Sequence, residues 1–344
     1  MGGALVRRLG IALAVAVLVA PLADCGRFPM GDGLWMQDGE AGAQLSYADG
    51  YQGRFYPGAG DDTREIVCWG DSMTQGVGAD AGAGALVLLA DGELYDTSHQ
   101  SYPQVLSQLT GLDTYNFGVA GATSEEIAIM QGALPWTALD IADAADGDPD
   151  VGDAAITVSR LDPEVAEAGE EHTGDILVLE IGSNGGWGDD YQVLIDQYRA
   201  MIERSGCEDY LILGDTDDPG TSVGDTSQEP FTEGYAPRET AWEAALSEAF
   251  GERFINVRVF LIKHGLDISG LAPTEEDVAD ARLGCISRQL RSDWTHLNAR
   301  GYFAKAVAIY RRGVRLGYWS AGEGSIDVAV PHGHHQQAEG QGQG

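Results

Sequence analysis

At 344 residues, 44% hydrophobic and 22% charged, the chain is long enough for one large domain or two small ones and has an ordinary supply of core-forming side chains. Its 20 Lys and Arg stand against 54 Asp and Glu, a formal net charge of −34. These numbers exclude disorder along the whole chain and a basic surface for nucleic acid, and they disfavour binding to anionic membrane surfaces.

In chain order, residues 1–25 read as an export signal. Arg7 and Arg8 form a basic start, and Leu9 to Ala20 is an apolar run short for a membrane span. The run closes on Leu22-Ala23-Asp24-Cys25, which resembles the lipobox of bacterial lipoproteins, where the cysteine is lipidated after cleavage. Asp24 departs from that motif, which places a small residue before the cysteine. The other reading is a retained N-terminal anchor helix. The expected location is therefore outside the cytoplasm of a bacterium, secreted or held at the cell surface through Cys25.

Residues 26–63 are rich in Gly, Asp and Tyr and read as a tether or an N-terminal wrap. From Arg64 onward short apolar runs alternate with helical patterns. Ile66–Trp69, Thr114–Asn116, Ile176–Ile181, Tyr210–Gly214 and Phe254–Val257 predict buried strands. Tyr102–Leu109, Glu125–Gln131, Tyr191–Arg204, Arg238–Phe250 and Asn298–Leu316 carry helical spacing. Alternation of this kind, with strands apolar throughout, predicts a parallel sheet covered on both faces. Two segments interrupt it, at about 133–173 and 215–237, each readable as a solvated loop or as part of the crevice rim. The domain is expected over 64–320, and 321–344 as a disordered tail. That tail holds His332, His334 and His335, read as tail residues rather than metal ligands. Cys68 sits in an apolar run as a buried thiol, and Cys207 with Cys285 is the pair open to a disulfide, which spacing alone does not establish.

The chemistry gathers in four short blocks. The strand at Ile66 runs into Gly70-Asp71-Ser72, which sets a serine at a strand's carboxyl end with backbone N–H groups nearby to meet negative charge. Asn116-Phe-Gly118-Val-Ala-Gly121-Ala-Thr-Ser124 follows the second strand, Glu180-Ile-Gly182-Ser-Asn184-Gly185-Gly-Trp187 the third, and Asp293-Trp-Thr-His296 precedes the last helix. Each block alone is weak evidence, because each also occurs in ordinary turns.

In order and content the four blocks resemble the SGNH or GDSL hydrolase superfamily, over about Arg64 to Trp319. The resemblance implies a flavodoxin-like three-layer α/β/α sandwich with a mostly parallel five-stranded sheet. It implies a serine esterase working through an acyl-enzyme, without metal or cofactor, on a small-molecule or glycan ester. Ser72 matches the nucleophile, His296 the general base and Asp293 the residue that holds the imidazole. The oxyanion hole would be the Ser72 N–H, the Gly121 N–H and the Asn184 amide, with Gly118 the competing choice in the glycine block. Where the family has a carboxylate after the asparagine, this chain has Gly185. Trp187 is a candidate wall for a sugar or acyl group, or else a core or rim tryptophan. Gly220-Thr-Ser222-Val-Gly224 matches a nucleophile elbow but lacks the immediate helix that motif needs. Alternatives are a non-catalytic carbohydrate-binding module on the same fold and an acyltransferase. Export and acidity favour deacetylation of glycans over lipid hydrolysis. The oligomeric state is not readable from the chain.

Overall fold

The computed structural model describes residues 43–46, 52–80, 86–136, 160–216, 240–293 and 295–328. The strands in chain order are β1 (Ala43–Ser46), β2 (Gln52–Tyr56), β3 (Glu65–Gly70), β4 (Leu86–Leu88), β5 (Leu94–Asp96), β6 (Asp113–Gly118), β7 (Ile176–Glu180), β8 (Asp209–Leu213) and β9 (Phe254–Ile255). Seven of them form one sheet in the order β1-β2-β6-β3-β7-β8-β9. The run from β6 to β9 is parallel throughout, while β2 lies antiparallel to β6 and β1 antiparallel to β2. The expected five-stranded parallel core is thus present, in the 2-1-3-4-5 order of flavodoxin-like folds.

The parallel strands are continuous apolar runs because both faces are covered. Every residue of β7, Ile-Leu-Val-Leu-Glu, is buried. In β3, Ile66 and Cys68 face one layer, built with Val105, Leu106 and Leu109 of α2 (Tyr102–Thr110) and Phe303, Val307 and Tyr310 of α8 (Ala299–Leu316). Val67 and Trp69 face the other layer. That layer contains α3 (Ser124–Met130), α4 (Pro163–Glu171), α5 (Tyr191–Ser205) and α6 (Ala241–Phe250). A four-residue helix, α1 (Ser72–Gln75), opens directly after β3, and α7 (Glu275–Arg282) lies between α6 and α8. Between α6 and α7, Val257–Phe260, Leu261–Gly265 and Leu266–Ile268 make one helical arm whose middle winds as a π-helix.

Parallel pairing brings the chemistry-bearing loops to one rim. Gly70 pairs in register with Gly118 on one side and Glu180 on the other, so the Gly-Asp-Ser, glycine and asparagine blocks leave the sheet side by side.

Several expectations change. The 26–63 segment contributes β1 and β2, and the second of these covers the β6 edge. Within the expected 133–173 insertion, α4 is a crossover helix whose Val165 and Ala168 are buried. The expected tail is packed as far as Val328: Ile326 and Val328 are buried, and Ile326 N–H donates to the Gln108 carbonyl over 3.3 Å. Cys207 and Cys285 are in no disulfide. Cys207 precedes β8 at the strands' amino ends, whereas Cys285 follows Gly284, whose carbonyl accepts from Arg258 beside the first turn of α6. Cys68 is buried as expected, and burial pushes its thiol far above the usual range. Residues 1–25 with Cys25, the segment 217–239 with Ser222, and His332, His334 and His335 lie outside the described residues. Among the described residues no helix is long and apolar enough to cross a membrane.

Candidate active site

The site is assembled from the carboxyl ends of β3, β6 and β7 and from the loop entering α8. Asp71 caps α1, its Oδ1 accepting from Met73 N–H at 2.9 Å, and this sets Ser72 on the helix's first residue at the strand end. Ser72 Oγ lies 3.0 Å from His296 Nε2, and His296 Nδ1 lies 2.9 Å from Asp293 Oδ2. The Asp-x-x-His turn closes on itself. Asp293 Oδ1 also accepts from Thr295 N–H at 2.8 Å and His296 N–H at 2.7 Å. Burial pulls the Asp293 carboxyl up, but the donors of His296 and Thr295 prevail and hold it below the usual carboxylate range. An ionised Asp293 keeps Nδ1 protonated and Nε2 free to accept the Ser72 proton.

The candidate oxyanion donors gather around Ser72. Asn184 Nδ2 donates to Asp71 Oδ2 at 3.2 Å and to the Ala122 carbonyl at 3.1 Å, so its amide stands between the neighbour of Ser72 and the neighbour of Gly121. Gly118 N–H donates to Asn116 Oδ1 at 2.9 Å, and Gly121 remains the candidate donor of that block. Gly121 has φ +79°, a left-handed turn that glycine adopts without strain.

Sequence reasoning missed the frame that holds these groups. Gly185 stands where the family has a carboxylate, and at φ +79° it too is left-handed. The support comes instead from Asp71, across the crevice. Burial, followed by repulsion from Glu180, raises its carboxyl to about 7 despite the Met73 N–H. Gln75 Oε1 accepts from Ala120 N–H at 2.6 Å, and the Gly185 carbonyl accepts from both Ser124 N–H at 3.0 Å and Ser124 Oγ at 2.9 Å. The glycine and asparagine blocks are thereby tied to α1 and to each other. The signal was present in the Asp of Gly-Asp-Ser and in Ser124, but both also read as turn formers.

Trp187 is only 6% exposed. Its Nε1–H donates to the Gly182 carbonyl at 2.9 Å, and its ring packs on Tyr191 and Trp242. It braces the Asn184 loop from the core rather than walling the crevice. Among the described residues no cluster of three His, Cys, Asp or Glu could hold a metal.

The sequence pattern of the GDSL-like lipase/acylhydrolase family matches residues 68–304, a stretch containing all four blocks. The chain belongs to the GDSL-like lipase/acylhydrolase family. As a member it is a hydrolase acting on ester bonds. No match is found among curated protein sequences. Solved structures similar to it include a carbohydrate esterase family 2 enzyme with a carbohydrate-binding domain from Corynascus thermopiles (Myceliophthora fergusii), at 14% identity and TM-score 0.38, covering 78% of this chain and 70% of that one. A family 2 carbohydrate esterase from Cellvibrio japonicus has 15% identity and TM-score 0.36, over 78% of this chain and 65% of that one. Another, from Clostridium thermocellum in complex with cellohexaose, has 12% identity and TM-score 0.38, over 79% and 70%. Likeness at this level does not transfer their substrates to this GDSL-like hydrolase.

Proposed function

We propose that the protein is an exported serine esterase that cleaves carboxylic esters, acetylated glycans among them, through an acyl-enzyme on Ser72. The observation that supports this reading is the hydrogen-bonded chain from Ser72 Oγ to His296 to Asp293. In the proposed reaction Ser72 Oγ attacks the ester carbonyl while its proton passes to His296 Nε2. The carbonyl electron pair moves onto oxygen and is met by Gly121, Ser72 N–H and Asn184. Collapse breaks the bond to the alcohol oxygen, which takes the proton from Nε2. Water, deprotonated by the same nitrogen, then releases the acid. Asp293 stabilises the imidazolium in both halves. The leader-like segment with Cys25 supports export, with a lipid anchor as the means of retention.

An ester panel from acetyl to decanoyl on purified protein tests the reading. Ser72→Ala should lower turnover by ~10³-fold or more while circular dichroism stays unchanged. Near-wild-type turnover by a folded Ser72→Ala protein would falsify the assignment. Added alcohols that divert the acyl group from water would recast the enzyme as an acyltransferase.

A further inference from the structure

We infer that Arg160 makes this site selective for esters that carry a carboxylate close to the scissile bond. The inference rests on the esterase reading and concerns what lies beside the Gly121 donor. A Cβ placed on Gly121 would sit 3.2 Å from Arg160 Nε and 3.8 Å from both Cζ and Nη2. The guanidinium therefore packs directly against the oxyanion turn, and the glycine leaves it room. Arg160 is anchored there through its backbone, whose N–H donates to Glu126 Oε1 at 2.7 Å. Glu126 Oε2 is engaged in the N-terminal cap of α3, accepting from Thr123 N–H at 2.9 Å and Thr123 Oγ at 3.1 Å. Its carboxylate makes no ion pair with the guanidinium. Among the described residues none does, and Arg160 is solvent-exposed.

An arginine with no ion pair among the described residues is unusual company in a chain with 54 acidic and 20 basic side chains. The field of such a protein repels anions, so an anionic substrate needs a local cation to enter. Guanidinium is suited to that task, because its planar fork matches a carboxylate with two parallel hydrogen bonds. Placed against Gly121, it reaches a carboxylate on either side of the ester, the acyl chain or the alcohol. Uronic-acid glycans and half-esters of dicarboxylic acids are substrates of this class.

Two substrate pairs separate the two sides, with background hydrolysis subtracted. The 4-nitrophenyl half-ester of glutaric acid against 4-nitrophenyl pentanoate reports the acyl side, and acetylsalicylate against phenyl acetate reports the alcohol side. In at least one pair, Arg160→Gln should lower the anionic-to-neutral ratio of kcat/KM about tenfold or more, and Arg160→Lys should restore part of it. An unchanged ratio in both pairs, or an equal loss on charged and neutral esters, overturns the inference. A second measurement does not depend on turnover. Calorimetric binding of glutarate and of salicylate to the Ser72→Ala protein should weaken about tenfold for at least one of them when Arg160→Gln is added. Equal affinities with and without the arginine overturn the inference even if no ester is cleaved, whereas a wild-type protein that cleaves none defeats the esterase reading alone.

Discussion

Asp71 carries a burden that its place in a three-residue motif does not announce. It is fully buried, caps α1 and holds Asn184, with its carboxyl raised from 3.8 to about 7. Between those pH values the folded protein retains a proton that the unfolded chain has released. Keeping Asp71 in the core therefore weakens the fold progressively as pH rises through that window, and by a constant amount above it. Asp71→Asn removes the effect. The variant's stability relative to wild type should increase from about pH 4 to about pH 8 by an amount of order a few kcal/mol, read from urea midpoints. A difference that stays flat with pH would show that Asp71 is not raised. The five residues of the proposed machinery were legible because each sits in a short pattern at a predictable strand or helix end. The Asp71 contact with Asn184 was not, since it spans 113 residues and no local pattern encodes it.

At the scale of elements, β7 and α8 are joined by an ion pair beneath the site. Lys305 Nζ lies 2.5 Å from each oxygen of Glu180, and the two side chains are 0% and 2% exposed. The ammonium also stands 4.8 Å from the centre of the Tyr102 ring on α2. Breaking such a pair on one side leaves a buried charge without its partner. Lys305→Met should therefore destabilise the protein by about 3–5 kcal/mol, and adding Glu180→Leu should recover most of that loss. Denaturant unfolding of the two singles and the double decides it, and additive losses would sink the argument. Sequence periodicity places a lysine on a helix's wet face, so this one was not foreseen. The start of α3 fared better, because Thr123 and Glu126 form a capping box there, whereas α6 begins at Ala241 behind its own Thr240–Glu243 box, three residues past the expected Arg238. The three-residue strands β4 and β5 were missed, being too short for a period-two pattern to register.

For the molecule as a whole, the parallel core was readable from strand–helix alternation; of the outer wraps, the N-terminal one was offered only as the alternative to a tether, and the C-terminal one was read as tail. Both wraps dock on the same part of the fold. Gly60 N–H donates to the Gly111 carbonyl at 2.9 Å, just past α2, and Ile326 N–H donates to Gln108 within it. Their apolar residues are sparse and their partners distant in sequence, so periodicity marks no strand in the first and no packed residue in the second. Ile326 and Val328 are 8% and 7% exposed. Ending the chain after Ser320 should consequently cost about 3 kcal/mol, on the order of two buried aliphatic side chains partly offset by lost ordering. Thermal unfolding of the shortened protein checks this, and an unchanged midpoint would show that the wrap is decoration.

The Asn184 amide has one more consequence. Both of its hydrogens already point at acceptors, the Asp71 carboxylate and the Ala122 carbonyl. In the proposed reaction the ester does not find an idle donor there; its oxygen must win one away from a resident. A neutral carbonyl offers little more than Ala122 already does. A tetrahedral oxyanion offers a charge-assisted bond about twice as strong. Such a competition filters by charge rather than shape, leaving the resting enzyme indifferent to the ketone-like ground state and responsive only once attack has begun. Boronic acids, which become tetrahedral anions on Ser72, should accordingly inhibit ~10²-fold more tightly than methyl ketones of the same chain length, and equal inhibition constants would show that the donor was free all along.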